Sequence, residues 1–161
     1  MKKIILALGA ILALSIIISF IYPKYQQDSE YLQVVKVIDG DTIKVNSNGS
    51  EITVRLIGID TPEVKTKSTQ EEKGGSEASS FAKNLLTNSK VRLASDPGLD
   101  NKDKYGRLLR YVYLQNGKML NEIMLEEGYA TEFTYHKEYR YSVAFRLEES
   151  QAKANKKGLW K

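Results

Sequence analysis

The fold is decided by residues 34–59, VVKVIDGDTIKVNSNGSEITVRLIGI, where short β-branched runs alternate with turn signals. Val34 to Ile38 predicts a strand, Asp39-Gly40 a tight turn and Thr42 to Val45 the returning strand. After a second turn, residues 51–59 alternate between apolar and polar side chains, which predicts a third strand. The segment therefore predicts a three-stranded antiparallel meander.

Downstream of this meander the chain predicts two more strands and three helices. Strands are predicted at residues 91–93 and 108–114. The first helix is predicted to begin at an N-cap Ser76 and to run to about residue 88. The other predicted helices are 120–127, with Gly128 at C′, and 139–157, ending at Gly158. This order predicts an α+β fold, a small five-stranded β-barrel with three helices.

The N-terminus has the pattern of an export signal. Lys2 and Lys3 precede 19 consecutive uncharged residues, Ile4 to Tyr22. As a helix this run would extend about 28 Å, close to the thickness of a bilayer core. We expect residues 1–22 to be a signal peptide or membrane anchor, which forms an N-terminal hydrophobic helix before the barrel. The length, and the lack of an Ala-x-Ala site, favour an uncleaved anchor with the remainder outside the membrane.

The polar residues 23–30 predict a linker, and the folded domain is expected to span residues 31–161. The chain has no Cys, which excludes disulfide scaffolds, zinc fingers, iron–sulfur clusters and thiol nucleophiles. Its single histidine, His136, excludes a poly-histidine metal site. The net charge of +4 is compatible with an anionic partner but does not show one.

Three charged segments are candidates for chemistry: Ile38 to Thr42, Arg55 to Glu63, and Asp103 to Arg107. Each has an ordinary structural interpretation. The first could be only a hairpin turn, the second a solvated strand followed by a turn, and the third a basic turn. Their occurrence together, in this order, favours a functional interpretation over three separate structural ones.

In order and spacing, the three segments resemble those of the staphylococcal nuclease (thermonuclease) family. The resemblance extends from about Tyr31 to Trp160 and includes GSEA at 75–78, GKMLNE at 117–122 and KGLW at 157–160. It implies an OB-fold barrel with a calcium-dependent phosphodiesterase site. It also implies cleavage of DNA and RNA with little sequence specificity, leaving 3′-phosphate products.

The resemblance also implies roles for individual residues. Those matching the family's calcium ligands are Asp41, Asp60 and, through its backbone carbonyl, Thr61. Those matching its catalytic residues are Arg55, Glu63 and Arg107. Asp39 matches an acidic position near the metal shell. Independently, carboxylate and carbonyl oxygens suit Ca²⁺, and guanidinium groups suit a phosphate that gains negative charge.

Substrate binding is assigned by the same resemblance to Tyr105 and Lys104. The family has a Tyr-x-Tyr pattern beside this pocket, whereas here the corresponding residues are Thr134-Tyr135-His136. We therefore expect a different pocket wall, with bases stacking on Tyr105 or on the aromatic residues between 133 and 141.

Two other functions compete with a nuclease outside the membrane. One is a catalytically weak nucleic-acid-binding module, since some relatives keep the barrel but have lost catalytic residues. The other is a membrane-tethered structural domain. Both acidic residues, both arginines and Glu63 are present, which favours the enzyme. We expect one Ca²⁺ per domain and a monomer.

Overall fold

The computed structural model describes residues 30–65, 70 and 72–161. The predicted signal peptide or anchor at 1–22 lies outside the described residues, as does the linker up to residue 29. Within the described ranges, no helix has the length and apolar character needed to cross a bilayer.

Five strands form a closed barrel, as the sequence predicts. They are β1 (Leu32–Val37), β2 (Thr42–Ser47), β3 (Ser50–Leu56), β5 (Lys90–Ala94) and β6 (Leu108–Leu114). The order around the barrel is β1-β2-β3-β6-β5, and only the β3–β6 pair is parallel. Two short strands, β4 (Ile59–Asp60) and β7 (Thr131–Glu132), form a separate antiparallel sheet. This is the predicted five-stranded OB-fold barrel.

Alternation along the strands separates the core from the functional face. On β3, Val54 and Leu56 are buried, whereas Thr53 and Arg55 lie on the outer face. Burial of each such aliphatic side chain contributes about 1.5–3 kcal/mol to folding. The largest fully buried side chains are Tyr111, Phe145, Ile43, Leu56, Ile59, Leu86, Leu120, Met124 and Leu125.

The predicted third strand, residues 51–59, forms, but its predicted end at residue 59 is wrong. β3 stops at Leu56, and the chain turns at Gly58, where φ is +77°. A Cβ at Gly58 would lie 2.5 Å from the ring of Tyr139, so the turn requires glycine. The apolar alternation continued through this turn and concealed it. As a result, β4 leaves the barrel and pairs with β7.

Three helices pack on the barrel: α1 (Gly75–Leu86), α2 (Leu120–Glu126) and α3 (Ser142–Ala154). The prediction of Ser76 as an N-cap is wrong, because Gly74 occupies that position with φ of +93° and provides no side-chain cap. The predicted role of Gly128 at C′ of α2 is confirmed. Its φ is +73°, and the Tyr129 N–H donates to the Met124 carbonyl at 2.8 Å.

The third helix is shorter than the predicted 139–157. It ends at Ala154, because Lys156 adopts a φ of +52° and the Lys157 N–H turns back to the Ala152 carbonyl. Gly158 instead begins a short 3₁₀ turn, and a Cβ there would lie 2.3 Å from the Gly128 carbonyl oxygen. Glycine is thus required by close contact between two backbone segments.

Candidate active site

The turn between β1 and β2 presents the first acidic pair. The Asp41 N–H donates to Asp39 Oδ1 at 3.0 Å, and the Leu56 N–H donates to the Asp41 carbonyl at 2.9 Å. A Cβ on Gly40 would lie 2.8 Å from the Thr61 side chain. Glycine therefore allows this turn to pack directly against the segment that follows β4.

Asp41 is buried, and protein donors surround its carboxylate. Its Oδ2 accepts hydrogen bonds from the Thr61 N–H at 2.9 Å and the Thr61 hydroxyl at 3.0 Å. Its Oδ1 accepts from the Thr42 hydroxyl at 3.0 Å and lies 3.1 Å from Arg55 Nε. These contacts fix the carboxylate in one orientation.

The guanidinium of Arg55 connects two acidic side chains. Nε lies beside Asp41, and Nη2 is 2.7 Å from Asp60 Oδ1. Nη1 donates to the carbonyls of Leu56 at 2.8 Å and Ile59 at 2.6 Å. All three guanidinium nitrogens therefore have acceptors, and the side chain is 12% exposed. A planar group with five donors suits this arrangement, and an ammonium would not reach every acceptor.

Asp60 is placed at the site by the β4–β7 pair, where it lies opposite Thr131. Burial raises its pKa, although Arg55 opposes this, and the charges of Asp41 and Glu63 raise it further. Burial and the neighbouring Asp41 likewise raise the pKa of Asp39 to about 6. The acidic residues thus repel one another, which a bound cation would relieve.

Glu63 lies on the exposed segment after β4, and its charge is close enough to affect the pKa of Asp60. Two hydrogen bonds connect its backbone to Glu72. The Glu63 N–H donates to Glu72 Oε2 at 3.1 Å, and the Glu72 N–H donates to the Glu63 carbonyl at 2.9 Å. A Cβ on Gly75 would lie 2.3 Å from that carbonyl oxygen. The start of α1 therefore positions Glu63.

Arg107 reaches the same site from the loop between β5 and β6. Asp103 holds its Nε at 2.6 Å, and the Arg107 N–H donates to the same carboxylate at 2.9 Å. Arg107 Nη1 lies 3.5 Å from the hydroxyl of Thr42, which itself donates to Asp41. A continuous series of polar contacts therefore links Arg107 through Thr42 and Asp41 to Arg55.

Tyr105 and Lys104 form an exposed rim beside Arg107. Tyr105 is 72% exposed, with the Lys104 ammonium 5.0 Å and the Arg107 guanidinium 5.5 Å from its ring centroid. The pKa of Lys104 is raised by the Tyr105 hydroxyl and by Tyr135. Tyr135 therefore shares this rim, and its ring lies 4.3 Å from that of His136.

The donors at this site are oxygens, which suit a hard cation such as Ca²⁺. Over residues 30–65, 70 and 72–161, no three acidic or histidine side chains converge as a ready-made metal site. The Asp41 oxygens are held by Thr61, Thr42 and Arg55, whereas the Asp60 side chain is 52% exposed. Oxygen ligands of the kind that Ca²⁺ takes are therefore present, but both Asp41 oxygens are engaged by protein donors, and of the two carboxylates only that of Asp60 is open to solvent.

Comparison with known proteins identifies the family. The sequence model described as "Staphylococcal nuclease homologue" matches residues 53–161. The chain belongs to the staphylococcal nuclease family. It is 43% identical to the thermonuclease of Staphylococcus hyicus over 128 residues, which cover 80% of this chain and 74% of that protein.

Other relatives in this family show similar identity. Endonuclease YncB of Bacillus subtilis is 41% identical over 140 residues, 86% of this chain and 65% of its own length. The thermonuclease of Staphylococcus intermedius is 43% identical over 126 residues, 78% of this chain and 72% of its own length. The region matched by the staphylococcal nuclease model contains Arg55, Asp60, Glu63 and Arg107.

Sequence reasoning assigned no role to three residues that support this candidate site, although two of them, Thr42 and Asp103, lie in the segments it selected. Thr42 joins Asp41 to Arg107, Asp103 orients Arg107, and Glu72 holds the Glu63 backbone. Asp103 had a local signal, since an Asp three residues before a glycine, in Asp103-Lys-Tyr-Gly106, is typical of a turn stabilised by the Asp side chain. Thr42 and Glu72 had none, because their roles depend on the three-dimensional fold.

Proposed function

We propose that this protein is a calcium-dependent nuclease that hydrolyses phosphodiester bonds in DNA and RNA and leaves 3′-phosphate products. One observation carries the proposal: two arginines approach one carboxylate-lined site, and Thr42 and Asp41 connect them. Guanidinium groups bind phosphate through paired charge-assisted hydrogen bonds. Contacts to phosphate rather than to bases account for little sequence specificity.

In the proposed reaction, water attacks phosphorus in line with the leaving oxygen, and each residue of the site has a separate role. Glu63 orients the water and accepts its proton. Arg55 exchanges its bond to the exposed Asp60 carboxylate for a phosphoryl oxygen, while Asp41 keeps its orientation. Arg107, held by Asp103, donates a hydrogen bond to the 5′-oxygen as the bond between phosphorus and that oxygen breaks, and the departing oxygen takes a proton from solvent water. Asp41, Asp60 and the Thr61 carbonyl would hold Ca²⁺, which supplies further stabilisation of the negative charge on the phosphoryl group.

Substrate binding is assigned to the exposed rim. Tyr105 and Tyr135 offer aromatic surfaces for bases, and Lys104 lies between them as a cation for phosphate. Ca²⁺ affinity should be modest, in the roughly 0.1–1 mM range of extracellular sites, because only two carboxylates are available. We place the enzyme, as a monomer, outside the cytoplasmic membrane. The basic start and uncharged run at residues 4–22 support that location.

The proposal is tested by incubating the full-length protein with single-stranded DNA and RNA in millimolar Ca²⁺ or in EGTA. We expect cleavage only with Ca²⁺, and fragments that accept a 5′-phosphate from a kinase without prior phosphatase treatment. Fragments that already carry 5′-phosphate would contradict the proposed bond cleavage, and cleavage in EGTA would contradict the metal dependence.

A further inference from the structure

The connection from β7 to α3 carries aromatic side chains at the exposed rim of the candidate active site. Residues 133–138, here called the aromatic loop, include Phe133, Tyr135 and His136, all of them exposed. The Tyr135 ring centroid lies 5.9 Å from that of Phe133 and 4.3 Å from that of His136. In the part of the chain that the structure describes, no backbone N–H of residues 134–138 donates to a backbone carbonyl. Side-chain contacts therefore determine the position of this loop.

The side chain of Glu132 connects the two ends of the aromatic loop. Its Oε1 accepts hydrogen bonds from the Thr134 hydroxyl at 2.6 Å and from the Tyr139 hydroxyl at 2.9 Å. Burial and the hydrogen bond to Glu132 raise the pKa of Tyr139, so its hydroxyl stays protonated and able to donate. One carboxylate oxygen thus joins the residue before Tyr135 to a residue just beyond the loop.

Tyr139 is the fixed member of this arrangement. It is buried, and its ring packs so closely on Gly58 that a Cβ there would lie 2.5 Å from it. The ring centroid of Phe145, in α3, is 5.7 Å away. The turn at Gly58 also accepts the Phe133 N–H at 3.0 Å through its carbonyl. Because Tyr139 is held by the turn and by α3, the carboxylate of Glu132 restrains the Thr134 side of the loop.

We propose that Glu132 is a positioning residue for substrate binding, which holds the Tyr135 ring at the rim where it stacks on a base of a single strand. This inference rests on the proposed nuclease function and names the part of the substrate that the loop recognises, an unpaired base. A loop already held in its binding conformation loses less conformational entropy when the substrate binds, so affinity is higher. The stacked base takes no part in bond cleavage, so Glu132 affects KM and not kcat.

The charge of Glu132 by itself would have the opposite effect. A carboxylate repels a polyanion, so its removal should strengthen DNA binding if only charge matters. Glu132→Gln removes the charge but keeps an oxygen that accepts hydrogen bonds, whereas Glu132→Ala removes both. Weaker binding by the alanine variant alone would therefore identify the hydrogen bonds as the cause. Glu126→Ala is the matched control, since Glu126 is exposed at the end of α2.

The test makes three measurements on the full-length protein and these variants. Binding of labelled decathymidylate in EGTA is followed by fluorescence anisotropy. Cleavage of the same strand gives kcat, KM and the Ca²⁺ concentration for half-maximal rate. Limited trypsin digestion, with fragments identified by mass, reports how readily the chain is cut after Lys137, which is exposed in the aromatic loop.

We expect Glu132→Ala to raise the Kd and KM for decathymidylate about five-fold, the lower end of what stacking one base on an aromatic side chain contributes. Its kcat and Ca²⁺ requirement should match those of the control, and trypsin should cut faster after Lys137. Glu132→Gln should bind at least as tightly as the unmodified protein. In a Tyr135→Ala background, Glu132→Ala should weaken binding no further, because the two residues act through the same contact.

The inference is overturned if Glu132→Ala matches Glu126→Ala in Kd and in trypsin cleavage, or if the alanine and glutamine variants weaken binding equally. A higher Ca²⁺ requirement with an unchanged Kd in EGTA would also overturn it, because Glu132 would then act through Asp60 on the neighbouring strand. Failure of the nuclease proposal has a different signature. In that case the unmodified protein cleaves no DNA, while the anisotropy and trypsin comparisons still decide whether Glu132 holds the loop for binding.

Discussion

Replacing Arg55 with lysine tests whether one guanidinium organises the site. Arg55 makes four contacts through three nitrogens, to Asp41, Asp60 and the carbonyls of Leu56 and Ile59. A lysine ammonium is a single donor centre on a flexible stem and cannot serve all four acceptors. The Arg55→Lys variant keeps the positive charge, so its defect would reflect geometry rather than net charge.

The magnitude follows from the burial of these partners. Asp41 and Arg55 are nearly buried, with side chains 7% and 12% exposed. Each hydrogen bond to a charged group contributes about 1.5–3 kcal/mol, and lysine with entering water should recover about half of the lost contacts. We therefore expect a loss of about 3–6 kcal/mol in the free energy of unfolding. Under the proposed mechanism, in which Arg55 binds a phosphoryl oxygen, loss of its guanidinium should also lower kcat by about 10²–10³.

Urea unfolding followed by circular dichroism gives the stability change, and cleavage of single-stranded DNA gives kcat. Arg146→Lys is the matched control, because Arg146 pairs with Glu138 on an exposed part of α3. Its free energy of unfolding should change by less than about 0.5 kcal/mol. An Arg55→Lys variant as stable and as active as this control would refute the reasoning.

Two further predictions concern the support of the site and its response to acid. Gly75→Ala would place a Cβ 2.3 Å from the Glu63 carbonyl oxygen. Because this contact would displace Glu63, kcat should fall at least ten-fold. Unchanged cleavage by a folded variant would contradict this. Burial would raise the pKa of Asp96, but hydrogen bonds from the Tyr111 hydroxyl and the Arg140 N–H hold it below its usual value. The stabilisation by ionised Asp96 is thus present above about pH 4 and lost as pH falls through the lowered pKa. Asp96→Asn should therefore be less stable at pH 7 by about 1–3 kcal/mol, with the difference shrinking in acid, as urea unfolding at several pH values would show.

The barrel could be predicted from the sequence because its signals are local. β-branched alternation with turn residues defines β1, β2 and β3, and helical spacing defines α1. The boundary errors also have local causes. At Gly58, the apolar pattern continues across a turn, and at Lys156 a residue other than glycine adopts the left-handed conformation that ends α3.

The arrangement of the site could be predicted only in part. Sequence reasoning selected Asp41, Asp60, Arg55 and Arg107, and the structure places these side chains in one connected set of polar contacts. The β4–β7 pairing that positions Asp60 joins two-residue strands 71 positions apart, and such short, distant pairs leave no periodic signal. The same limitation concealed the link from Thr42 to Arg107.

The central claim, that Arg107 acts in phosphodiester cleavage, is tested most directly with Arg107→Ala in the full-length protein. Cleavage of single-stranded DNA in Ca²⁺ is measured together with binding of the same DNA in EGTA, and Arg146→Ala serves as the control. The account predicts that Arg107→Ala lowers kcat by about 10²–10³ while the control is unchanged. Equal kcat for the two variants would contradict it, and binding without any cleavage by the unmodified protein would favour a nucleic-acid-binding module.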